Sequence, residues 1–192
     1  MSIDRVSAGE PPRLLDEPAL ARTLKRLAHE IAERHPRLDG VVLVGIRTRG
    51  VPLAHRLAVL LEPMWMRKPC VVAVDPREFR DDRPRPLQPA SNALSVENGD
   101  ALPQIDGATV ILVDDVLYTG RTQRAALDAL LALGRPAAVE MLVLVDRGHR
   151  ELPLRATYVG KNVPTASADR VTVRVREVDG RDGAWLLQGA LA

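Results

Sequence analysis

Aromatic residues make up only 3% of the 192-residue chain, so its core has to be assembled from leucine, valine, isoleucine and alanine. A core of that kind suits layered helix-on-sheet packing better than an aromatic-rich β-sandwich. Cysteine is nearly absent: Cys70 stands alone, which excludes an intramolecular disulfide and a metal site built on a cysteine cluster. It lies in the apolar run Cys70-Val71-Val72-Ala73-Val74 and is expected to be a buried small hydrophobe. No apolar run approaches the ~20 residues that cross a bilayer, and the N-terminus, with Asp4 and Glu10, lacks a signal-peptide core. A cytoplasmic protein without a membrane partner is expected. A dominant charge is lacking too. The net charge of +2 does not by itself indicate a nucleic-acid binder, so any basic surface must be a local patch balanced by acid elsewhere. What is present is a 46% hydrophobic content, ample for one buried core, in a length typical of a single domain.

Residues 1–15 read as a loose N-terminal segment punctuated by Gly9-Glu10-Pro11-Pro12. Asp16-Glu17-Pro18 has the form of an N-cap with proline in the first turn, and Leu20, Leu24, Leu27 and Ile31 then give one apolar helical stripe. His35-Pro36 ends that helix, because the residue before proline is pushed out of α geometry. Continuous apolar runs at 41–46, 70–74, 109–113 and 139–145 read as strands covered on both faces. Helical patterns at 51–61 and 123–133 alternate with them. Leu127, Leu130 and Leu131 form the inner stripe of the second, and Gly134-Arg135-Pro136 stops it. Short strands follow at 156–159, 171–175 and 184–187, with Asp179-Gly180 as a hairpin signal. Residues 76–106 are polar and rich in proline, aspartate and arginine, and a stretch of that length reads as a functional flap or a hairpin of weak pattern. The alternation predicts an α/β protein with a central parallel sheet flanked by helices. Ligands in such sheets bind beyond the carboxyl ends of the strands, which singles out the loops at 45–50, 75–82, 114–122 and 146–150.

The most informative of these is Asp114-Asp115-Val116-Leu117-Tyr118-Thr119-Gly120-Arg121-Thr122. A glycine-containing turn opening a helix offers backbone N–H groups and a favourable dipole to a phosphate, and Thr119 and Thr122 add hydroxyl donors. Two adjacent aspartates upstream suit sugar hydroxyls, or magnesium held through water. Together they describe a phosphorylated ribose. The same residues also fit a helix that is merely capped by acids, and spacing alone leaves that reading open. Neither a Walker glycine-lysine loop nor a Rossmann glycine fingerprint occurs.

The run Val110-Ile111-Leu112-Val113-Asp114-Asp115-Val116-Leu117-Tyr118-Thr119-Gly120-Arg121-Thr122 resembles the signature with which type I phosphoribosyltransferases bind 5-phosphoribosyl 1-diphosphate (PRPP). The resemblance is particularly to the bifunctional pyrimidine operon regulators with uracil phosphoribosyltransferase activity. It extends through Leu144-Val145-Asp146-Arg147-Gly148-His149-Arg150-Glu151-Leu152-Pro153, Val159-Gly160-Lys161-Asn162-Val163-Pro164-Thr165 and Val44-Gly45-Ile46-Arg47-Thr48-Arg49-Gly50. It covers about residues 14–179. It implies a type I phosphoribosyltransferase fold in one domain, 1–192, with a flexible β flap at 76–106 and a small hood within 146–192.

The resemblance further implies that uracil and PRPP give UMP and diphosphate, with Mg²⁺ as cofactor. Asp114, Asp115 and Arg80 would carry catalysis, and Asp114 and Asp115 would meet the metal through water. Arg47, Thr48, Arg49 and Gly50, with Asp114, Asp115, Leu117, Tyr118, Thr119, Gly120, Arg121 and Thr122, would hold PRPP or a nucleotide. Asp146, Arg147 and Val159 would hold uracil. At the flap, Asp75, Arg80, Asp81 and Asp82 fit the subfamily, whereas Pro76, Arg77, Glu78 and Phe79 depart from it.

In the first helix Arg22, Lys25, Arg26 and His29 fall opposite the apolar stripe. Pattern alone fits a solvated cationic face. The resemblance implies instead an RNA hairpin of pyrimidine-operon mRNA as partner, met by Lys25, Arg26, His29, Arg34, Thr48, His149, Arg150, Arg155 and Lys161. UMP or UTP would modulate that binding, and a homodimer or higher homo-oligomer is implied. Two further readings stay open: a regulator with little or no transferase activity, and a phosphoribosyltransferase for another base without an RNA role.

Overall fold

The computed structural model describes residues 11–81, 94–96 and 101–189. Its centre is a six-stranded sheet in the order β4 (Leu94–Val96), β3 (Val71–Val74), β2 (Val41–Ile46), β5 (Thr109–Leu117), β6 (Ala138–Asp146) and β7 (Tyr158–Asn162). All neighbours are parallel except β4, which runs antiparallel to β3 and makes the sheet mixed at that edge. Two-sided burial explains the continuous apolar runs. Leu43, Ile111, Val113, Leu142 and Leu144 pack on one face against α1 (Glu17–Arg34) and α2 (Gly50–Trp65). Val42, Val44, Val110 and Leu112 pack on the other against α3 (Arg121–Leu131).

The helix ends follow local chemistry. Asp16 caps α1 by accepting the Ala19 N–H at 2.7 Å. The helix α2 runs beyond the expected residue 61, through Pro63, and Trp65 fastens the added turn by donating its indole N–H to the His35 carbonyl at 2.7 Å.

Several expectations need correcting. Arg13–Leu15 is not loose: it is a strand, β1, that pairs antiparallel with β9 (Gly183–Leu187), which in turn pairs with β8 (Arg170–Arg174). These three form a second, small sheet. The connection from β8 to β9 is not a two-residue hairpin but a single helical turn, α4 (Arg176–Asp179), closed by Gly180 in left-handed geometry. The inner face of α3 is Ala125, Ala126, Ala129 and Leu130, with Leu131 half exposed; small side chains let this helix sit close on the sheet. Cys70 is half-buried rather than buried. Of the flap, β4 and residues 76–81 and 101–106 are described, with Phe79, Leu94 and Ile105 fixed in the core; Asp82 lies outside the described residues.

Candidate phosphoribosyl site

Because β2 and β5 are parallel neighbours with Gly45 opposite Val113, the loops leaving their carboxyl ends lie side by side. They touch at Gly50. A Cβ there would stand 2.2 Å from the Val113 carbonyl oxygen, so only glycine allows the 47–50 loop to press against the strand that carries the aspartates. On the other side β6 ends beside β5, Leu117 opposite Asp146, which brings the 146–150 segment to the same edge.

Asp114 and Asp115 belong to β5, so the loop expected at 114–122 begins only after Leu117. Asp114 is buried. One of its oxygens accepts the Asp115 N–H at 2.9 Å and the other accepts Gln123 Nε2 at 2.6 Å. Gln123 also donates to the Val116 carbonyl at 3.1 Å, tying the start of α3 to the acid strand. Burial pushes the Asp114 carboxyl well above the usual range, and the charge of Asp115 adds to it. Burial raises Asp115 too, while its hydrogen bonding with Asp114 and the Arg49 charge hold it back. Two carboxyls raised in this way suit a ligand that supplies hydroxyl donors or positive charge. Gln123 escaped the sequence reading. Its signal was a polar residue on the inner face of an amphipathic helix.

The turn before α3 opens on a glycine, and the Arg121 N–H donates to Thr119 Oγ1 at 3.4 Å. Gly120 occupies the helix N-cap at φ 90°, a conformation open to glycine, and the cap makes no side-chain hydrogen bond. The N–H groups of a first helical turn have no partner within the helix. Thr119 and Thr122 are half-buried beside them. Leu117, by contrast, is fully buried in the core and offers only its backbone. The side chain of Arg121 turns to the acids of the neighbouring segments, Asp81 and Glu151, the latter at 2.6 Å.

Arg47, Thr48 and Arg49 form the companion loop, whose Arg47–Thr48 peptide is cis. Arg47 donates to Ser95 Oγ at 2.9 Å, connecting the loop to β4 of the flap. Arg49 meets Asp179 through two parallel hydrogen bonds of 2.9 and 2.7 Å. Arg80 is exposed just after the 3-10 turn Arg77–Phe79.

In the 146–150 segment the expected base-binding side chains are part of the framework. Arg147 is buried, donates to Thr165 Oγ1 at 3.1 Å and to the Ala166 carbonyl at 3.0 Å, and stacks 3.9 Å from the centre of the Tyr118 ring. His149 meets the same ring edge-on at 5.9 Å. Asp146 accepts the Gly148 N–H at 2.9 Å and pairs with Arg150, whose guanidinium also donates to the carbonyls of Tyr118, Gly148 and Leu154. Val159 is half-buried on β7 and packs against the small cluster of Leu117, Met141, Val143 and Ala156.

The cations nominated for RNA fall into groups. Lys25, Arg26 and His29 are exposed on α1, where Arg26 donates to the carbonyls of Val159 and Gly160 and pairs with Glu30; Lys161 follows on the same strand, bonded to the Leu14 carbonyl at 2.8 Å. His149, Arg150 and Arg155 precede β7. Arg34 lies at the far end of α1, paired with Glu140 at 2.6 Å, and Thr48 sits in the loop after β2.

A family model described as a phosphoribosyl transferase domain matches residues 12–176. The chain is 50% identical over 182 residues to the bifunctional protein PyrR of Chloroflexus aurantiacus, covering 95% of this chain and 98% of that one. It is 55% identical over 173 residues to the bifunctional protein PyrR of Streptomyces coelicolor, covering 90% and 88%. Among solved structures, the hypoxanthine phosphoribosyltransferase of Trypanosoma cruzi in complex with IMP superposes with a TM-score of 0.68, covering 98% of this chain and 100% of that one. At 18% identity that likeness shows the fold alone.

Proposed function

The chain belongs to the phosphoribosyltransferase family, and on that footing we propose that it is an RNA-binding, uridine-nucleotide-responsive regulator of pyrimidine biosynthesis genes that also converts uracil and PRPP to UMP and diphosphate. The observation that carries the enzymatic half is the junction of two loops at one sheet edge: the paired carboxylates and glycine-capped helix start of 114–122, in contact through Gly50 with the arginine loop 47–50. Identity near 50% over almost the full length to proteins named bifunctional PyrR supports the regulatory half.

In this reading the 5-phosphate of PRPP sits on the N–H groups and hydroxyls of residues 118–122. The carboxylates of Asp114 and Asp115 face the ribose hydroxyls, and Arg47 and Arg49 with the amides of 47–50 hold the diphosphate. Charge builds as diphosphate leaves an oxocarbenium-like ribose, so what the site supplies is electrostatic: carboxylates near the sugar, guanidiniums on the leaving group. Arg80, exposed at the start of the flap, adds a further cation for the diphosphate. No covalent nucleophile is needed. The Asp114–Asp115 pair fits a magnesium ion held through water, since raised buried carboxyls gain from a divalent charge; bound there, Mg²⁺ would offset the diphosphate's charge.

Uracil lies over the 146–150 segment near Val159, and main-chain groups read its edge, because the side chains of Asp146 and Arg147 already hold the segment together. An RNA hairpin meets Lys25, Arg26 and His29 of α1 with Lys161 of β7, together with His149, Arg150 and Arg155 before β7 and with Arg34 and Thr48, and UMP or UTP in the PRPP pocket alters that affinity by linkage. A homodimer or higher assembly would double this basic surface.

The test is UMP formation from uracil and PRPP with Mg²⁺, together with a gel shift against the leader RNA of a pyrimidine operon with and without UMP. Both are expected. Nucleotide binding without turnover would leave a regulator alone; turnover with hypoxanthine but not uracil, and no shift, would leave an enzyme for another base.

A further inference from the structure

Two arginines seven residues apart on one side of α2 grip the turn between β8 and β9. Arg49, at the N-cap of α2, forks onto Asp179 at 2.9 and 2.7 Å. Arg56, two turns later, forks onto Glu177 at 2.8 and 2.6 Å and onto Asp182 at 2.9 and 2.8 Å. The hydrogen bonds from these guanidiniums hold Asp179 and Glu177 below the usual carboxylate range. Between the loop and the turn lies a cavity of about 520 Å³ lined by Arg47, Thr48, Val51, Pro52, Glu177 and Val178, so the contact between them is made at its rim, by side chains. Arg56 lies inside α2, where its neighbours are fixed by the helix. Arg49 is different, because its backbone is the loop itself.

We propose that Asp179 is a positioning residue for the diphosphate half of the phosphoribosyl site: by forking onto Arg49 it fixes the 47–50 loop and aims the rest of that guanidinium at the ligand. The proposal rests on the reading of 47–50 as the diphosphate loop. A guanidinium has five N–H groups, and Asp179 engages two of them. The remaining three stay with a charge that Asp115 feels from across the site. Asp179 is itself held in place, since its carboxylate accepts the Val175 N–H at 2.9 Å and its own N–H donates to the Val175 carbonyl at 2.7 Å. The small sheet, through the turn between β8 and β9, thereby governs how PRPP is met.

Asp179→Asn keeps an oxygen for the Val175 N–H but replaces the charged fork with an amide. In steady-state kinetics of the full chain it should raise the KM for PRPP about tenfold, with kcat and the KM for uracil within twofold of wild type. Asp179→Glu should recover most of the loss, and Arg49→Lys, charged but unable to fork, should match Asp179→Asn without adding to it in the double variant. Arg56→Lys loosens the same turn away from the loop and should leave the KM for PRPP unchanged. An unaltered PRPP KM in Asp179→Asn, or an equal rise in Arg56→Lys, would overturn the proposal. Arg47→Ala tells the two failures apart: if it leaves the PRPP KM unchanged, the loop assignment fails and the proposal with it; if it raises the KM while Asp179→Asn does not, the assignment stands and Asp179 is only structural.

Discussion

The two loops that meet at the site are held by different chemistry. Residues 117–119 are fastened through the main chain: the N–H groups of Arg147, Glu151 and Leu152 donate to the carbonyls of Leu117 and Thr119 at 3.0–3.2 Å, and the Arg150 guanidinium reaches the Tyr118 carbonyl at 2.8 Å. Apart from the Arg47 N–H, which donates to the Val74 carbonyl at 2.9 Å, the 47–50 loop is fastened through side chains, by Arg47 to Ser95 and Arg49 to Asp179. Main-chain bonds persist whatever side chains surround them. Charged side-chain pairs that are partly exposed respond to salt and pH. The 117–122 turn is therefore rigid by construction, and the 47–50 loop, proposed to receive diphosphate, is the more adjustable of the two.

The contrast is broken most severely at the acids, where neither kind of anchor substitutes for charge. Asp114→Asn or Asp115→Asn should lower kcat/KM a hundredfold or more, about 3 kcal/mol of lost transition-state stabilisation, measured as UMP formation. A smaller but still large effect is expected where the two loops touch. In Gly50→Ala the new methyl meets the Val113 carbonyl, a backbone group that cannot rotate away. Overpacking of that kind should cost about 3 kcal/mol in denaturant unfolding, and any activity left should show a raised PRPP KM.

The rigid half was the legible half. Asp114, Asp115 and Gly120 are announced by a contiguous motif at the end of an apolar run, and the runs themselves are continuous because β2, β5 and β6 are buried on both faces. What holds the site could not be read so directly. Asp179 and Arg49 are 130 residues apart, and no local pattern links them. Arg13–Leu15 is too short to show a period and becomes a strand only because β9 is there to pair with it. Arg147 and Asp146 fall where the base was expected, yet the distant Tyr118 ring and the Arg150 guanidinium, four residues beyond Asp146, turn them into framework. Gln123 looked like any helix-start residue until β5 ran far enough to put Asp114 beneath it.

Tyr118 sharpens the comparison at a moderate scale, since it adds a side-chain contact to the half otherwise held by main chain. Tyr118→Leu removes the ring beneath the Arg147 guanidinium and should cost about 1–2 kcal/mol of stability, whereas Tyr118→Phe keeps the ring and should remain within about 0.5 kcal/mol. Equal losses in both variants would shift the role from the ring to the hydroxyl. The main-chain bonds to Thr119 survive either change, so the leucine variant should retain measurable affinity for PRPP.

The smallest effects come from protons, and they separate the halves by sign. Asp114 has a carboxyl raised by burial, so the folded chain binds a proton there more tightly than the unfolded chain does. Stability from this group is present at low pH and falls as pH rises through the raised value. Asp179 and Glu177 are lowered by their arginine partners, so their contribution is present above the usual carboxylate range and is lost as pH falls below it. Metal-free protein should accordingly gain thermal stability as pH drops toward the usual carboxylate range and lose it again as pH falls below that range. Asp114→Asn should flatten the upper slope without touching the lower one. Asp179→Asn should do the reverse, and added salt should weaken the lower slope more than the upper, because the Arg49–Asp179 pair is partly exposed while Asp114 is not. Melting curves across that range, at low and high salt, decide it. An upper slope that survives Asp114→Asn and Asp115→Asn together would place the titrating group elsewhere and remove the carboxyl pair as the source of stored unfavourable charge that a sugar or a cation relieves on binding.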